Sequence, residues 1–580
     1  MNRSGVNFFS IATIVVLAGG LYLCGAPAKA EQLDAKMQPQ GLGAVGVYDL
    51  RRIDPNLTGK GVRIALISRS ITYIDGEPQN DYRPSSSHPC FGVNQFIFHD
   101  QGIYPGGVSA HSTSICSILL GEDENAFNPE LGKIYYQGVS PEAELEVYEF
   151  WHFLSNNVFS QLPPEADIIT AGIGSQFEDW WTRGIDSLAQ REGLIVIAGI
   201  GNGLDAHDPP LYPAASANAI GVGVVDSVKS EDLEISLKNF ALAYPQHSTS
   251  GPTVDQRCKP DIVAPGNCLV AEPNRTGQYE PAGNWTSFST PVVAGTAALL
   301  VQKAKEYLEL SPAFSSDAKN CLIKAILLNS ATKLPLWHKG DISTEDDHTV
   351  PLDYIQGAGM LDAQSAYEHL IAGPNKPGDA SNIGWDLNQT PQERTFAKLY
   401  RLSVDKASDS FLTATLSWNK HYQGEYPFEP EPQKDVNLRL ELWAVNPEKP
   451  DHHYLLDYSD SDNDNIEHIY ARLDPNYTSY EIIVSDSNMN APEQILPIQS
   501  YAIAWNVNSA GDEESILRYD LNADGIVDDL DLYSLLESWI TSIKSPETYF
   551  IGDINADGIF DANDFQALTD NINRRAPWLR

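Results

Sequence analysis

Asn284-Trp-Thr-Ser-Phe-Ser-Thr-Pro-Val-Val-Ala-Gly-Thr-Ala-Ala-Leu-Leu300 joins a hydroxyl-rich turn to a run of small residues. Pro291 suits the first turn of a helix, where its missing N–H leaves nothing unpaired, and Ala294, Gly295, Ala297 and Ala298 let that helix approach a neighbour closely. Ser287 therefore stands at a helix start. There the positive end of the helix dipole and free backbone N–H groups favour negative charge developing beside a nucleophilic hydroxyl. An ordinary N-cap has the same composition. What Ser287 is depends on the rest of the chain.

Upstream, Leu57-Thr-Gly-Lys-Gly61 feeds Val-Arg-Ile-Ala-Leu-Ile-Ser68, an apolar run too short for a helix and typical of a buried parallel strand. Similar units recur at Ala143–Tyr148, Ala166–Gly172, Gly193–Gly199 and Ala219–Val225, with helical stretches such as Thr182–Glu192 between them. Strands alternating with helices predict an α/β layer with a parallel sheet, whose sites form at the carboxyl ends of the strands.

Several segments are more specific. Ala110-His111-Ser-Thr113-Ser-Ile-Cys-Ser-Ile-Leu-Leu-Gly121 resembles the histidine motif of the subtilisin-like serine peptidases, and Gly199-Ile-Gly-Asn202-Gly resembles their oxyanion-asparagine loop. Leu211-Tyr-Pro-Ala-Ala215, Ser248–Thr253, Lys259–Gly266, Thr286-Ser287-Phe288-Ser289-Thr290-Pro291 and Gln356–Ala363 follow in the family's order. The resemblance covers about residues 40–372. It implies an α/β fold with a parallel sheet covered by helices on both faces, and hydrolysis of polypeptides.

By that resemblance Ser287 is the nucleophile, His111 the base, and Asn202 with the Ser287 N–H the oxyanion hole. The chemistry suits these residue types. A serine hydroxyl attacks poorly until a base takes its proton, and an imidazole of pKa about 6.5 can take it at neutral pH and return it to the leaving amine.

The third triad position departs from the family, which carries aspartate where the first core strand ends. Here Ile64-Ala-Leu-Ile-Ser68-Arg69-Ser70 places Ser68 there. A serine can orient imidazole but brings no negative charge to the imidazolium. Ser112 replaces glycine after the histidine, Trp285 replaces glycine before Thr-Ser and is expected to crowd the nucleophile, and Ala171-Gly172-Ile173-Gly174 replaces the usual Ser-Leu-Gly of the cleft. Two explanations stand. Either another carboxylate, such as Asp75 or Asp100, reaches His111, or the fold has become a weak protease or a non-hydrolytic peptide-binding or scaffold-assembly protein. Retention of His111, Asn202 and Ser287 together favours hydrolysis.

The chain of 580 residues carries a formal charge of −40, which argues against nucleic acid or an anionic membrane surface as partner. Arg3, the apolar run Phe8–Cys24 and Ala28-Lys29-Ala30 read as a cleaved secretory signal at residues 1–30, so secretion is expected, with no membrane attachment after cleavage. Of the five later cysteines, Cys90 with Cys116 and Cys258 with Cys268 are possible disulfides; Cys321 is the expected free buried thiol.

Pro374–Lys376 marks a boundary after a peptidase domain over residues 31–372. Beyond it, Leu412, Ala414, Leu416 and Trp418 alternate with polar neighbours. Leu438, Leu440, Leu442 and Ala444 do the same, as do Tyr501, Ile503, Trp505 and Val507, which predicts an antiparallel β-sandwich over 376–508. It resembles the jelly-roll domains that follow many subtilase cores, with a supporting role. The acidic stretch Asp457–Glu467 reads as a solvated turn, with calcium binding as the alternative.

A last module spans 515–575 and carries two twelve-residue loops 33 positions apart. The first offers Asp520, Asn522, Asp524, Ile526 through its carbonyl, Asp528 and Asp531. The second offers Asp553, Asn555, Asp557, Ile559, Asp561 and Asp564. Oxygen ligands at these spacings, with Gly525 and Gly558 at the sharp turn, predict two Ca²⁺ sites. Aspartate at the last position resembles the dockerin modules of extracellular enzyme complexes, which implies a cohesin-like partner; a calcium-stabilised tail is the alternative. No cofactor is needed for the hydrolytic chemistry itself.

Overall fold

The computed structural model describes residues 37–508 except 71–72, 93–94, 103–105, 130, 204–208, 228–239, 243–247, 267, 274–278, 284, 335–336, 341–347, 393–395, 405–409, 447–448, 450–452 and 488–495. Further on it describes 519, 527–533, 535–536 and 562–573. The signal segment lies outside the described residues.

The repeated apolar runs pair into an eight-stranded sheet. Its strands are β1 (Arg63–Ser68), β2 (Phe96–His99), β3 (Glu144–Glu149), β4 (Ile168–Ala171), β5 (Ile195–Gly199), β6 (Ala219–Ser227), β7 (Phe240–Leu242) and β8 (Ile262–Pro265). Across the sheet the order is β7-β6-β5-β4-β1-β3-β2, with β8 also paired to β6. Seven strands are parallel, and β7 is antiparallel. The runs are apolar throughout because both faces are covered: Ile64 and Leu66 enter one core, Ala65 and Ile67 the other.

Helices α1 (Ala110–Leu120), α2 (Phe150–Phe153), α3 (Trp180–Glu192), α4 (Thr286–Glu306), α5 (Lys319–Asn329) and α6 (Ala363–Ala372) cover the sheet or link it onward. α3 begins two residues earlier than its periodicity predicts, because Asp179 and Thr182 form a reciprocal capping box. α4 is buried almost throughout, and its small residues allow this. A methyl group on Gly295 would lie 2.5 Å from Val139 Cβ, so only glycine permits that approach.

The second body has two sheets. One runs β9 (Gly378–Asp379), β11 (Ala397–Ser403), β16 (Ser479–Asp486), β13 (Leu438–Val445), β14 (Tyr454–Ser459); the other runs β10 (Ile383–Gln389), β17 (Ser500–Asn508), β12 (Phe411–Trp418), β15 (Ile466–Arg472). The alternating residues Leu412, Ala414, Leu416 and Trp418 meet Leu438, Leu440, Leu442 and Ala444 in one buried core.

The two bodies are fused rather than tethered. Trp385, Ile466, Ala502 and Ala504 join the apolar core of the first body, and α5 packs on β12 and β17. Asn320 and Asn419 exchange two amide hydrogen bonds of 2.9 and 3.1 Å. Phe428, on the loop after β12, is fully buried in the core that lines α3.

Two expectations fail here. The five cysteines Cys90, Cys116, Cys258, Cys268 and Cys321 are all free and buried, so neither anticipated disulfide is formed; the thiols join the apolar core, and Cys90 Sγ also lies 3.0 Å from His88 Nδ1. The acidic stretch 457–467 is not a solvated turn. Asp464 is buried and accepts the Cys258 N–H at 2.8 Å, Glu467 is buried and accepts the Ser461 N–H at 2.8 Å, and Asp460 pairs with Arg439 at 2.9 Å. Protein donors hold these carboxylates, and among the described residues no metal-binding cluster forms.

In the last module, Tyr519, Val527, Leu535 and Leu568 form a small core, with helical residues at 529–533 and 535–536 and the helix α7 (Ala562–Asp570). Asp531 is fully buried and its Oδ2 accepts the Asp528 N–H at 2.7 Å. Asp520, Asn522, Asp524, Ile526, Asp553, Asn555, Asp557, Ile559 and Asp561 lie outside the described residues, and of Asp564 only the helical backbone is described.

Candidate active site

The sheet presents β3, β1 and β4 side by side, and their register fixes what meets at the carboxyl end. Ser68 is level with Glu149 on β3, and Ile67 with Ala171 on β4, so Ser68 and Gly172 leave the sheet at the same height. α1 delivers His111 to this edge, with Ser109 capping the helix through the Ser112 N–H at 3.1 Å. α4 delivers Ser287 as its second residue, with Trp285 at the N-cap.

Gly172 is the meeting point. The Ser287 hydroxyl donates to the Gly172 carbonyl at 3.3 Å. A methyl group on Gly172 would lie 3.4 Å from His111 Cε1, 3.7 Å from Ser287 Cβ and only 2.7 Å from Ile115 Cδ1. The imidazole and the serine therefore border the same small space. Phe288 lies across it, its ring centroid 6.0 Å from that of His111.

Asn202 is held with its carboxamide oriented. Its Oδ1 accepts both the Thr286 N–H and the Thr286 hydroxyl at 2.9 Å, which leaves its NH₂ as the group free to donate. The Gly201 N–H in turn donates to Thr286 Oγ1 at 3.3 Å. Sequence reasoning did not assign this positioning role to Thr286. The signal was present as the hydroxyl residue beside the serine.

The end of β1 carries a hydroxyl rather than a carboxylate. Ser68 is buried at the end of β1, and its hydroxyl lies 2.6 Å from that of Ser112. The two departures noted in the sequence are thus one unit, a hydroxyl pair closed on itself. His111 is half-buried, and desolvation pushes its pKa down to about 4 with no charged group contributing.

Neither proposed substitute carboxylate reaches it. Asp100 is taken by Arg83 at 2.5 Å and by the Tyr82 hydroxyl at 2.7 Å, contacts that hold its pKa below the usual range. Asp75 sits exposed in a turn with φ 52°. Trp285 does not close Ser287 in either. Its indole is more than a third exposed and packs against Gly283, while its carbonyl accepts the Phe288 N–H at 2.9 Å.

A sequence profile of the Subtilase family, Peptidase_S8, matches residues 59–359, slightly over half of the chain. The chain belongs to the subtilase family. This subtilase is 26% identical over 386 residues to pyrolysin from Pyrococcus furiosus, covering 55% of this chain and 26% of pyrolysin. It is 28% identical over 174 residues to C5a peptidase from Streptococcus pyogenes, covering 30% of this chain and 14% of that protein. It is 25% identical over 282 residues to subtilisin amylosacchariticus from Bacillus subtilis subsp. amylosacchariticus, covering 46% of this chain and 62% of the relative. The matches thus span about a quarter or less of the two longer relatives. Among the described residues no helix of this subtilase is long and apolar enough to cross a membrane.

Proposed function

We propose that this chain is an exported serine endopeptidase of reduced turnover. Ser287 Oγ attacks the scissile carbonyl, its proton passes to His111, and the new oxyanion is held by the Asn202 NH₂ and the Ser287 N–H. Collapse of the tetrahedral intermediate breaks the C–N bond, and the imidazolium returns the proton to the leaving amine. Water then repeats the sequence on the acyl-enzyme. The convergence of Ser287 and His111 on Gly172 is the observation that carries this reading.

Reduced turnover follows from the Ser68–Ser112 pair. With a pKa of about 4 the imidazole is neutral and free to accept a proton at pH 7. Among the described residues no charged group acts on this imidazole, so the imidazolium it becomes lacks a supporting carboxylate. Where the aspartate of a triad is replaced by a neutral amide, turnover drops about 10⁴-fold.

Residues 1–30 act as the export signal, residues 376–508 as a structural β-sandwich of jelly-roll type bound to the peptidase domain 31–372, and residues 515–575 as a dockerin-like module with two Ca²⁺ loops. The spacing of oxygen-bearing residues along each twelve-residue loop, with glycine at its sixth position, supports calcium there. A cohesin-like protein is the partner class proposed for this module.

A second reading, peptide binding without hydrolysis, is favoured by one observation: the Ser287 hydroxyl points to a carbonyl rather than to imidazole. A fluorophosphonate probe separates the two. Labelling of the intact chain that disappears in Ser287→Ala supports the peptidase; equal labelling of both, or none of either, refutes it.

A further inference from the structure

The sheet edge that carries Gly172 also carries a cation that the hydrolytic chemistry does not use. Arg69 follows Ser68 where β1 leaves the sheet, at the same edge as Gly172 and the Ser287 hydroxyl. Adjacent parallel strands are about 4.8 Å apart, so the start of the Arg69 side chain lies within about 10 Å of the reacting serine. Arg69 is exposed. Among the described residues it forms no ion pair or hydrogen bond, in a chain whose formal charge is −40.

Its direction is nevertheless set. The guanidinium carbon sits 5.7 Å from the ring centroid of Phe150, the first residue of α2, which leaves β3 beside it. Such an arginine–aromatic contact keeps the planar donor fork extended over the ring with its edge N–H groups unused. The acid on the adjoining strand end does not neutralise it. Glu149 Oε2 accepts the His152 N–H at 2.9 Å, capping α2.

We propose that Arg69 is a specificity-determining residue, and that the substrate class of this subtilase is acidic peptide, with an aspartate or glutamate of the substrate set on the Arg69 guanidinium beside Phe150. This inference rests on the proposed function for the identity of the cleft. An exposed cation supported by an aromatic face and lacking an internal partner is suited to a carboxylate, which it can bind through two parallel N–H···O contacts. The net negative charge of the chain does not forbid this. At physiological ionic strength charges beyond about 8 Å are largely screened, so a direct contact outweighs the distant field.

The test uses the full chain and a fluorogenic decapeptide library in which one position at a time is Glu, Gln or Lys. A Glu preference of about fivefold over Gln is expected at a single position, the scale of a partly exposed ion pair. Arg69→Glu should invert it toward Lys, Arg69→Lys should retain it, and Phe150→Ala should weaken it. Equal Glu-to-Gln ratios for the native chain and Arg69→Glu overturn the proposal. If the chain proves not to cleave, the same library captured on immobilised Ser287→Ala and read by mass spectrometry gives the ratio by binding. Failure of hydrolysis and failure of the acidic preference are thereby distinguished.

Discussion

Ser68 Oγ and Ser112 Oγ lie 2.6 Å apart, one at the end of β1 and one in the first turn of α1, the residue after His111. One hydroxyl donates to the other in a buried setting. The pair holds the strand end and the helix start together without placing charge on the imidazole.

A single Ser68→Asp substitution leaves the Ser112 hydroxyl available to bind the new carboxylate. The double variant Ser68→Asp/Ser112→Gly removes that competitor. Its kcat/KM on a peptide substrate is expected to exceed that of the native chain by about 10²-fold or more, with the single variant in between. No gain from a folded double variant would show that another group already supports His111.

The pH profile of the native chain follows from the same geometry. The base is competent when deprotonated, and burial sets its pKa at about 4. Activity is expected to be full above about pH 5 and to fall as pH drops through about 4. In the double variant the carboxylate stabilises the imidazolium, so the acid limb should move up toward neutral pH. Kinetics of kcat/KM against pH check both limbs.

Asp261 is completely buried between Lys259 Nζ at 2.5 Å and Lys324 Nζ at 3.0 Å, and it accepts the Gly221 N–H at 2.6 Å. The cations hold its pKa below the usual range. Asp261→Asn leaves two buried ammonium groups without a counter-charge, and a loss of about 3–5 kcal/mol is expected in denaturant unfolding.

Phe428 reaches from the second body into the core beside Val158 and α3. Truncation to alanine is expected to cost about 3–5 kcal/mol and to lower both bodies' stability in one transition, because their cores are continuous. Separate, unshifted calorimetric transitions would refute the shared core.

For the last module, calcium should raise the temperature of its unfolding, and chelator should lower it. Asp531→Ala should abolish the response of the first loop. Indifference of the intact chain to chelator would refute both sites.

Much of this architecture was legible in the chain. The apolar runs gave five of the seven parallel strands, since a strand buried on both faces cannot alternate. The edge strand β2 escaped because Phe96–His99 is half-exposed and short. Period-two alternation marked β12, β13 and β17, because one face of each carries the large apolar residues of the sandwich core; the small and polar residues on the other face of β12 and β17 are nonetheless covered, by α5. The acidic stretch 457–467 misled, since composition records charge but not which donors from a distant segment come to meet it.

The sequence by itself determined the family and the order of its motifs, and it singled out Ser287, His111 and Asn202 as candidates, because these depend on local residue patterns. Tertiary structure decided what surrounds them. The Gly172 carbonyl that receives the Ser287 hydroxyl lies 115 positions away from it in the chain, and Ser112 lies 44 from Ser68. Strand register brings them together, and register is set by the burial of whole faces of the sheet, which no single motif encodes.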